Sequence, residues 1–264
     1  MHDDVDEASP DAAPRQGERT QEPGRKGQVR EGHREGTAKF AVEVSAAIAY
    51  RISDLAHNAT SSAMLLAIHP DHPDPRKIRR AVSALEEGAV IAYPTDTVYG
   101  LGCDLTNKHA IERLYQIKGM DRSQPLAFVC PDLSDIARYA LIDNRAYRLL
   151  RHLLPGPYTF ILPATREVPK LVQMKRKNVG IRVPACEATR ALARELGRPI
   201  ISTTAARPGE EPFVDPREID AAFRGLGLVL DGGGGGLVPT TVVDLTKTPP
   251  EIVRQGAGSI DPFR

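Results

Sequence analysis

Tryptophan is absent from the 264 residues, and aromatic side chains make up only 5% of them. This argues against a broad base-stacking surface. Cysteine is scarce. Cys103, Cys130 and Cys186 are far apart and odd in number, so neither a disulfide framework nor a zinc site is implied. Isolated cysteines of this kind behave as small buried apolar residues. No apolar run approaches the ~20 residues that a bilayer-spanning helix needs. The N-terminus starts acidic and stays polar, unlike a secretory leader. A cytoplasmic protein without a membrane partner is expected, acting as a monomer. Nor is there a large excess of one charge, since the net is +1. That average hides a split. Residues 1–63 hold 8 Lys/Arg and 11 Asp/Glu, net −3, while the remainder holds 27 and 23, net +4.

What is present divides the chain at the same place. Residues 1–39 are polar, charged and rich in Pro and Gly, and they bury too little apolar surface to offset ordering entropy. The expectation for 1–63 is a disordered extension, with a short helix over 40–56 where the sequence turns more apolar. Met64 offers an alternative start. From 64 to 264, 41% hydrophobic content overall leaves enough for one packed domain.

Within that domain helices and strands alternate. Asp74-Pro75 reads as a cap followed by proline at the first helical position, and the pair recurs at Asp215-Pro216. Asn107 caps a helix closed by Gly119. Asp143 to Leu154 is a helix whose exposed side carries Arg145, Arg148 and Arg151. Glu187 to Leu196 is a helix ended by Gly197. Strands are expected at 89–92, 126–130, 158–162, 179–183, 199–203, 226–230, 241–245 and 252–254. Gly232 to Gly236 reads as a flexible loop. This order predicts an α/β fold with a mixed sheet.

The stretch Tyr93 to Gly102, YPTDTVYGLG, organises the rest. It follows a short apolar strand, and Pro94 ends the ladder there because it lacks an N–H. Tyr93, Thr95, Thr97 and Tyr99 supply hydroxyls, and Asp96 is the only charge. Gly100 and Gly102 permit a sharp turn or close approach to a ligand. Such a strand end suits a polar small-molecule site.

With DNRAYRLL, PGPYTFIL, KRKNVGIRVP and PTTVVDLT, this stretch resembles the YrdC-like family of threonylcarbamoyl-AMP synthases, and most closely its YciO branch. The resemblance covers roughly the last three quarters of the chain. It implies a twisted mixed sheet with flanking helices around a basic cavity. It also implies a nucleotidyltransferase reaction in which threonine, bicarbonate and ATP give threonylcarbamoyl-AMP and pyrophosphate, for tRNA modification. Mg²⁺ is expected on the triphosphate, with Asp96 reaching it through water, and RNA or tRNA is a further expected partner.

Residue by residue, the resemblance assigns Lys118, Arg122, Thr159, Ser202, Thr204 and Arg254 to ATP. It assigns Thr97, Arg182 and Thr240 to threonine. The residues themselves leave other readings open. Lys118 also suits a solvated lysine offsetting the dipole at its helix end, and Thr159 a strand threonine. Arg182 differs, because an arginine between Ile181 and Val183 at the end of an apolar strand needs an anionic partner. Lys175-Arg176-Lys177 reads as a solvated face or a phosphate patch. Two positions depart from the family pattern. Met120 stands where an arginine is expected, with Arg122 two residues on as a substitute, and Ala206 stands where an asparagine is expected. These departures favour the alternative reading, a nucleotide- or RNA-binding protein of the YciO type without efficient turnover. No residue is assigned to covalent or acid–base catalysis, and no metal-ligand set stands out.

Overall fold

The computed structural model describes residues 62–174 and 177–264. The extension expected over 1–63, with its helix at 40–56, lies outside the described residues apart from Ser62 and Ala63, as do Lys175 and Arg176.

Ten strands form one mixed sheet in the order β1-β8-β2-β3-β7-β4-β6-β5-β9-β10. They are β1 (Met64–Ala67), β2 (Ile91–Tyr93), β3 (Gly100–Asp104), β4 (Ala127–Val129), β5 (Tyr158–Pro163), β6 (Asn178–Arg182), β7 (Ile200–Thr204), β8 (Leu228–Asp231), β9 (Thr241–Asp244) and β10 (Glu251–Arg254). The helices are α1 (Pro75–Glu86), α2 (Lys108–Lys118), α3 (Leu133–Tyr139), α4 (Asn144–Leu153), α5 (Glu187–Leu196) and α6 (Pro216–Ala222), with a final 3₁₀ turn at Asp261–Phe263.

The caps form as their residues dictate. The side chains of Asp74, Asn107, Asp143 and Asp215 each accept a backbone N–H of the first turn, relieving donors that have no intrahelical partner. Gly119 and Gly197 close α2 and α5 in the left-handed conformation.

Strand alternation separates two cores. Ile91, Tyr93, Val129, Ile200 and Leu228 point to the side covered by α1 and α5. Ala92, Leu101, Phe128, Ile201 and Val229 point to the other side, where α2, α3, α4 and α6 pack. No residue of β5, β6, β9 or β10 joins the α1–α5 core. On that face the far half of the sheet is therefore left uncovered by the two helices.

Three elements depart from the sequence expectation. β1 is an additional edge strand, fixed by parallel pairing of Met64–Ala67 with Leu228–Asp231. α3 is a short helix nucleated by the Asp132 cap. Gly100 and Gly102 do not form a turn. They lie inside β3, paired with Tyr93 and Ile91, and the close approach they allow is to the Tyr93 ring, 2.8 and 2.9 Å from where their Cβ atoms would be.

The glycine run is also not a free loop. The Gly236 N–H donates to Thr97 O at 2.7 Å and the Gly235 N–H to Val214 O at 2.9 Å. Tyr99 Oη donates to Gly233 O at 2.7 Å and accepts from the Gly232 N–H at 3.0 Å. A Cβ on Gly236 would fall 2.2 Å from Thr97 O, whereas at Gly234 the nearest atom is 3.9 Å away. Gly236→Ala is expected to destabilise the fold by about 1–3 kcal/mol, as overpacking does, and Gly234→Ala to leave it almost unchanged. Urea midpoints of the two variants check this, and equal midpoints would mean that the run is not a packed seat.

Candidate active site

The uncovered half of the sheet carries a cavity of ≈ 210 Å³. Its floor follows from register. Ser202, Ala127 and Gly180 lie side by side across three strands, and small side chains in one cross-strand row leave a trough. Larger polar residues of the same face stand around it: Thr159 on β5, Arg182 on β6, Thr204 on β7, Thr240 before β9 and Arg254 on β10. This volume lies below the typical 300–1,000 Å³ of sites that bury a drug-sized ligand and has room for an amino-acid-sized group.

Arg182 is 8% exposed. Its Nη2 donates to Thr95 Oγ1 at 3.0 Å, to Thr97 Oγ1 at 2.8 Å and to the carboxylate of Asp96. The anion that a buried arginine requires is thus supplied from the signature stretch itself. Its Nε, equally buried, has no hydrogen-bond partner among the described residues. A buried donor without a partner costs free energy, which the bonds made by Nη2 offset.

Arg254 donates through Nε and Nη2 to Thr240 O, at 3.2 and 2.9 Å, and through Nη2 to Thr240 Oγ1 at 3.2 Å. Thr240 Oγ1 lies 3.0 Å from Thr159 Oγ1. Among the described residues no carboxylate pairs with Arg254. Burial, and then the charge of Arg182, lower its pKa from the ordinary arginine value. Two guanidiniums, of which only Arg182 has a carboxylate partner among the described residues, make a cavity that favours anions.

Tyr93 belongs to the hydroxyl-bearing signature stretch, without an assigned ligand. Fully buried, it reaches across Gly100 and Gly102 and donates its phenol to Ser202 Oγ on the cavity wall. Burial pushes its pKa up to about 12, outweighing the opposing effects of Ser202 and Arg182. The phenol thus stays protonated at neutral pH and fixes one lone pair of Ser202. A tyrosine in an apolar strand carries no sequence signal for this role.

The structure brings Thr159, Arg182, Ser202, Thr204, Thr240 and Arg254 around one cavity. Thr97 lies behind Arg182, 5% exposed, and orients it. Lys118 and Arg122 are not among the lining residues. Lys118 Nζ sits 5.8 Å above the Phe223 ring. Arg122 is largely exposed, 3.8 Å from Glu112. Asp96 is held by Arg182. Met120 packs against the apolar core on the opposite face of the sheet, and Ala206 is buried, bridged to Pro212.

The fold has counterparts among known proteins. The family model Sua5_yciO_yrdC, described as "Telomere recombination", matches residues 83–256. The chain belongs to the Sua5/YciO/YrdC family. The Escherichia coli protein YciO is 44% identical over 199 residues, covering 74% of this chain and 97% of that protein. Its crystal structure matches with a TM-score of 0.74 at 41% identity, over 76% of this chain and 100% of that one. A threonylcarbamoyl-AMP synthase of Chromobacterium violaceum is 36% identical over 178 residues, 67% of this chain and 92% of that enzyme. The crystal structure of Pyrococcus abyssi Sua5 complexed with L-threonine matches with a TM-score of 0.71 at 29% identity, covering 76% of this chain and 60% of that one.

Burial lowers the pKa of Lys118 from 10.5 to about 8. The folded chain then binds fewer protons than the unfolded one between those values, so this side chain makes stability rise with pH across that window. An NMR titration of the Lys118 side chain is expected to show a midpoint near 8. A midpoint at the ordinary lysine value would mean that its ammonium stays hydrated.

Proposed function

We propose that this chain makes threonylcarbamoyl-AMP from threonine, bicarbonate and ATP, releasing pyrophosphate, for tRNA modification. The observation that carries this reading is the pair Arg182 and Arg254 in one anion-favouring cavity, walled by the hydroxyls of Thr159, Ser202, Thr204 and Thr240. The reaction joins a carboxylate-bearing amino acid to a polyphosphate, and needs such a pair of cations.

In this reading Arg182 holds the threonine carboxylate, while Thr97 and Thr240 shape that pocket. The threonine nitrogen and bicarbonate form a carbamate with loss of water. A carbamate oxygen then displaces pyrophosphate from the α-phosphorus. In the same reading Arg254, Ser202, Thr204 and Thr159 stabilise charge on the phosphates. Positioning and electrostatics suffice for such a transfer, without covalent chemistry by the protein. Lys118 and Arg122 belong to the proposal through the family resemblance alone.

Among the described residues no group of three His, Cys, Asp or Glu could hold a metal ion, and Asp96 is engaged by Arg182. Mg²⁺ accordingly enters the proposal as part of the nucleotide substrate.

A second reading is a nucleotide- or RNA-binding protein with little turnover. Met120 and Ala206 favour it: neither side chain supplies the polar group of the family pattern, and both are packed into the protein. Pyrophosphate release from ATP that requires both threonine and bicarbonate supports the synthase, whereas nucleotide binding without such release supports the second reading.

The two arginines should separate by ligand. Arg182→Lys keeps the charge on Asp96 but loses the planar fork, and is expected to weaken threonine binding more than ATP binding. Arg254→Gln should do the reverse. Each loss is about 1.5–3 kcal/mol for a charged hydrogen bond, or roughly 10- to 150-fold in Kd. Calorimetry with each ligand checks the assignment, which fails if Arg182→Lys removes ATP binding and leaves threonine binding intact.

A further inference from the structure

A second concave surface lies away from the cavity, between α4 and the C-terminal 3₁₀ turn. It is a groove of ≈ 790 Å³ with Leu153 and Phe263 in its floor and Arg145, Arg148, Arg151 and Arg264 on its rim. Arg264 pairs with Asp261 at 3.3 Å. Arg145, Arg148 and Arg151 are exposed, and none of them has a hydrogen bond or ion pair with another described residue. The only acid of α4's first turn or cap, Asp143, is committed to the Ala146 N–H.

Three like charges at i, i+3 and i+6 repel one another along one side of a helix. They recur every ~4.5 Å along the axis and so form a row of positive charge. Leu153 and Phe263, both partly exposed, add apolar surface next to this row, and Tyr147, 48% exposed, stands on the same helix. Cations that track a backbone beside surfaces on which bases rest are the elements of single-strand recognition.

We propose that this groove binds a single-stranded polynucleotide, with phosphates on Arg145, Arg148 and Arg151 and bases against the Phe263–Leu153 floor. The site is separate from the cavity and does not rest on the synthase reading. Thr159 and Ile161 line the cavity, whereas the alternating residues Tyr158 and Phe160 point the other way and pack on Phe263, with ring centroids 6.1 and 6.2 Å from it.

The test is fluorescence anisotropy of the full chain with labelled single-stranded RNA and DNA of about ten nucleotides, within the site sizes of single-strand binders. A poly-glutamate peptide of matching charge is measured alongside. Binding is expected to weaken with salt at a log–log slope of about −2, from three phosphates at ~0.7 each. The triple variant R145Q/R148Q/R151Q should lose about tenfold or more in affinity and flatten that slope, while melting like the parent. The single charge reversal Arg148→Glu should lower affinity in the same direction. A preference for RNA or for DNA identifies the natural source, and either supports the groove. Affinity unchanged in the triple variant, tighter binding of poly-glutamate than of both oligonucleotides, or displacement of the oligonucleotide by ATP with threonine would overturn it.

Discussion

The interaction on which the rest depends is the engagement of Arg182 by Asp96. A guanidinium at the end of an apolar strand is tolerable only with a counter-charge and hydrogen bonds. β6 supplies the cation, while the turn between β2 and β3 supplies the anion and two hydroxyls. Those strands are not neighbours, for β3, β7, β4 and β6 follow one another across the sheet. The pair therefore ties the signature turn over the trough of small residues. One guanidinium serves as a structural clamp and also lines the cavity.

The glycine run works from the other side of the same turn. Its backbone accepts from and donates to Tyr99 and donates to Thr97. The signature stretch is thus held between β6 and residues 232–236. Few of these bonds could be exchanged for contacts with water without moving Thr97 and, through it, Arg182. The rigidity of the cavity wall arises from this double attachment.

Much of this was legible in the sequence, and the failures have physical causes. The caps at Asp74, Asn107, Asp143 and Asp215 were readable because they are local: side chain and orphan N–H lie two or three residues apart. The cavity hydroxyls and arginines were readable because strand ends concentrate polar groups. β3 was not, since glycines lack β-propensity and the strand depends on a tyrosine ring filling the missing side-chain space. The glycine run misled for a related reason. Glycine signals freedom when nothing presses on it and close packing when something does, and only the tertiary neighbours distinguish the two. The partner of Arg182 was visible as a residue but not as a partner, because 86 positions separate it from Asp96. Tyr93 remained hidden because its role lies in the far end of a side chain whose body is ordinary core.

The alternation along β5 has a consequence for how this protein can change. Odd positions of that strand, Thr159 and Ile161, belong to the cavity, and even ones, Tyr158 and Phe160, to the aromatic packing beneath the arginine groove. The two faces are read from a single strand with a period of two. Point substitutions can alter either face while sparing the other. A one-residue insertion or deletion in β5 cannot, because it would turn phenyl rings into the cavity and hydroxyls into the core at the same time. The strand is therefore free to vary in composition on each side and constrained in length.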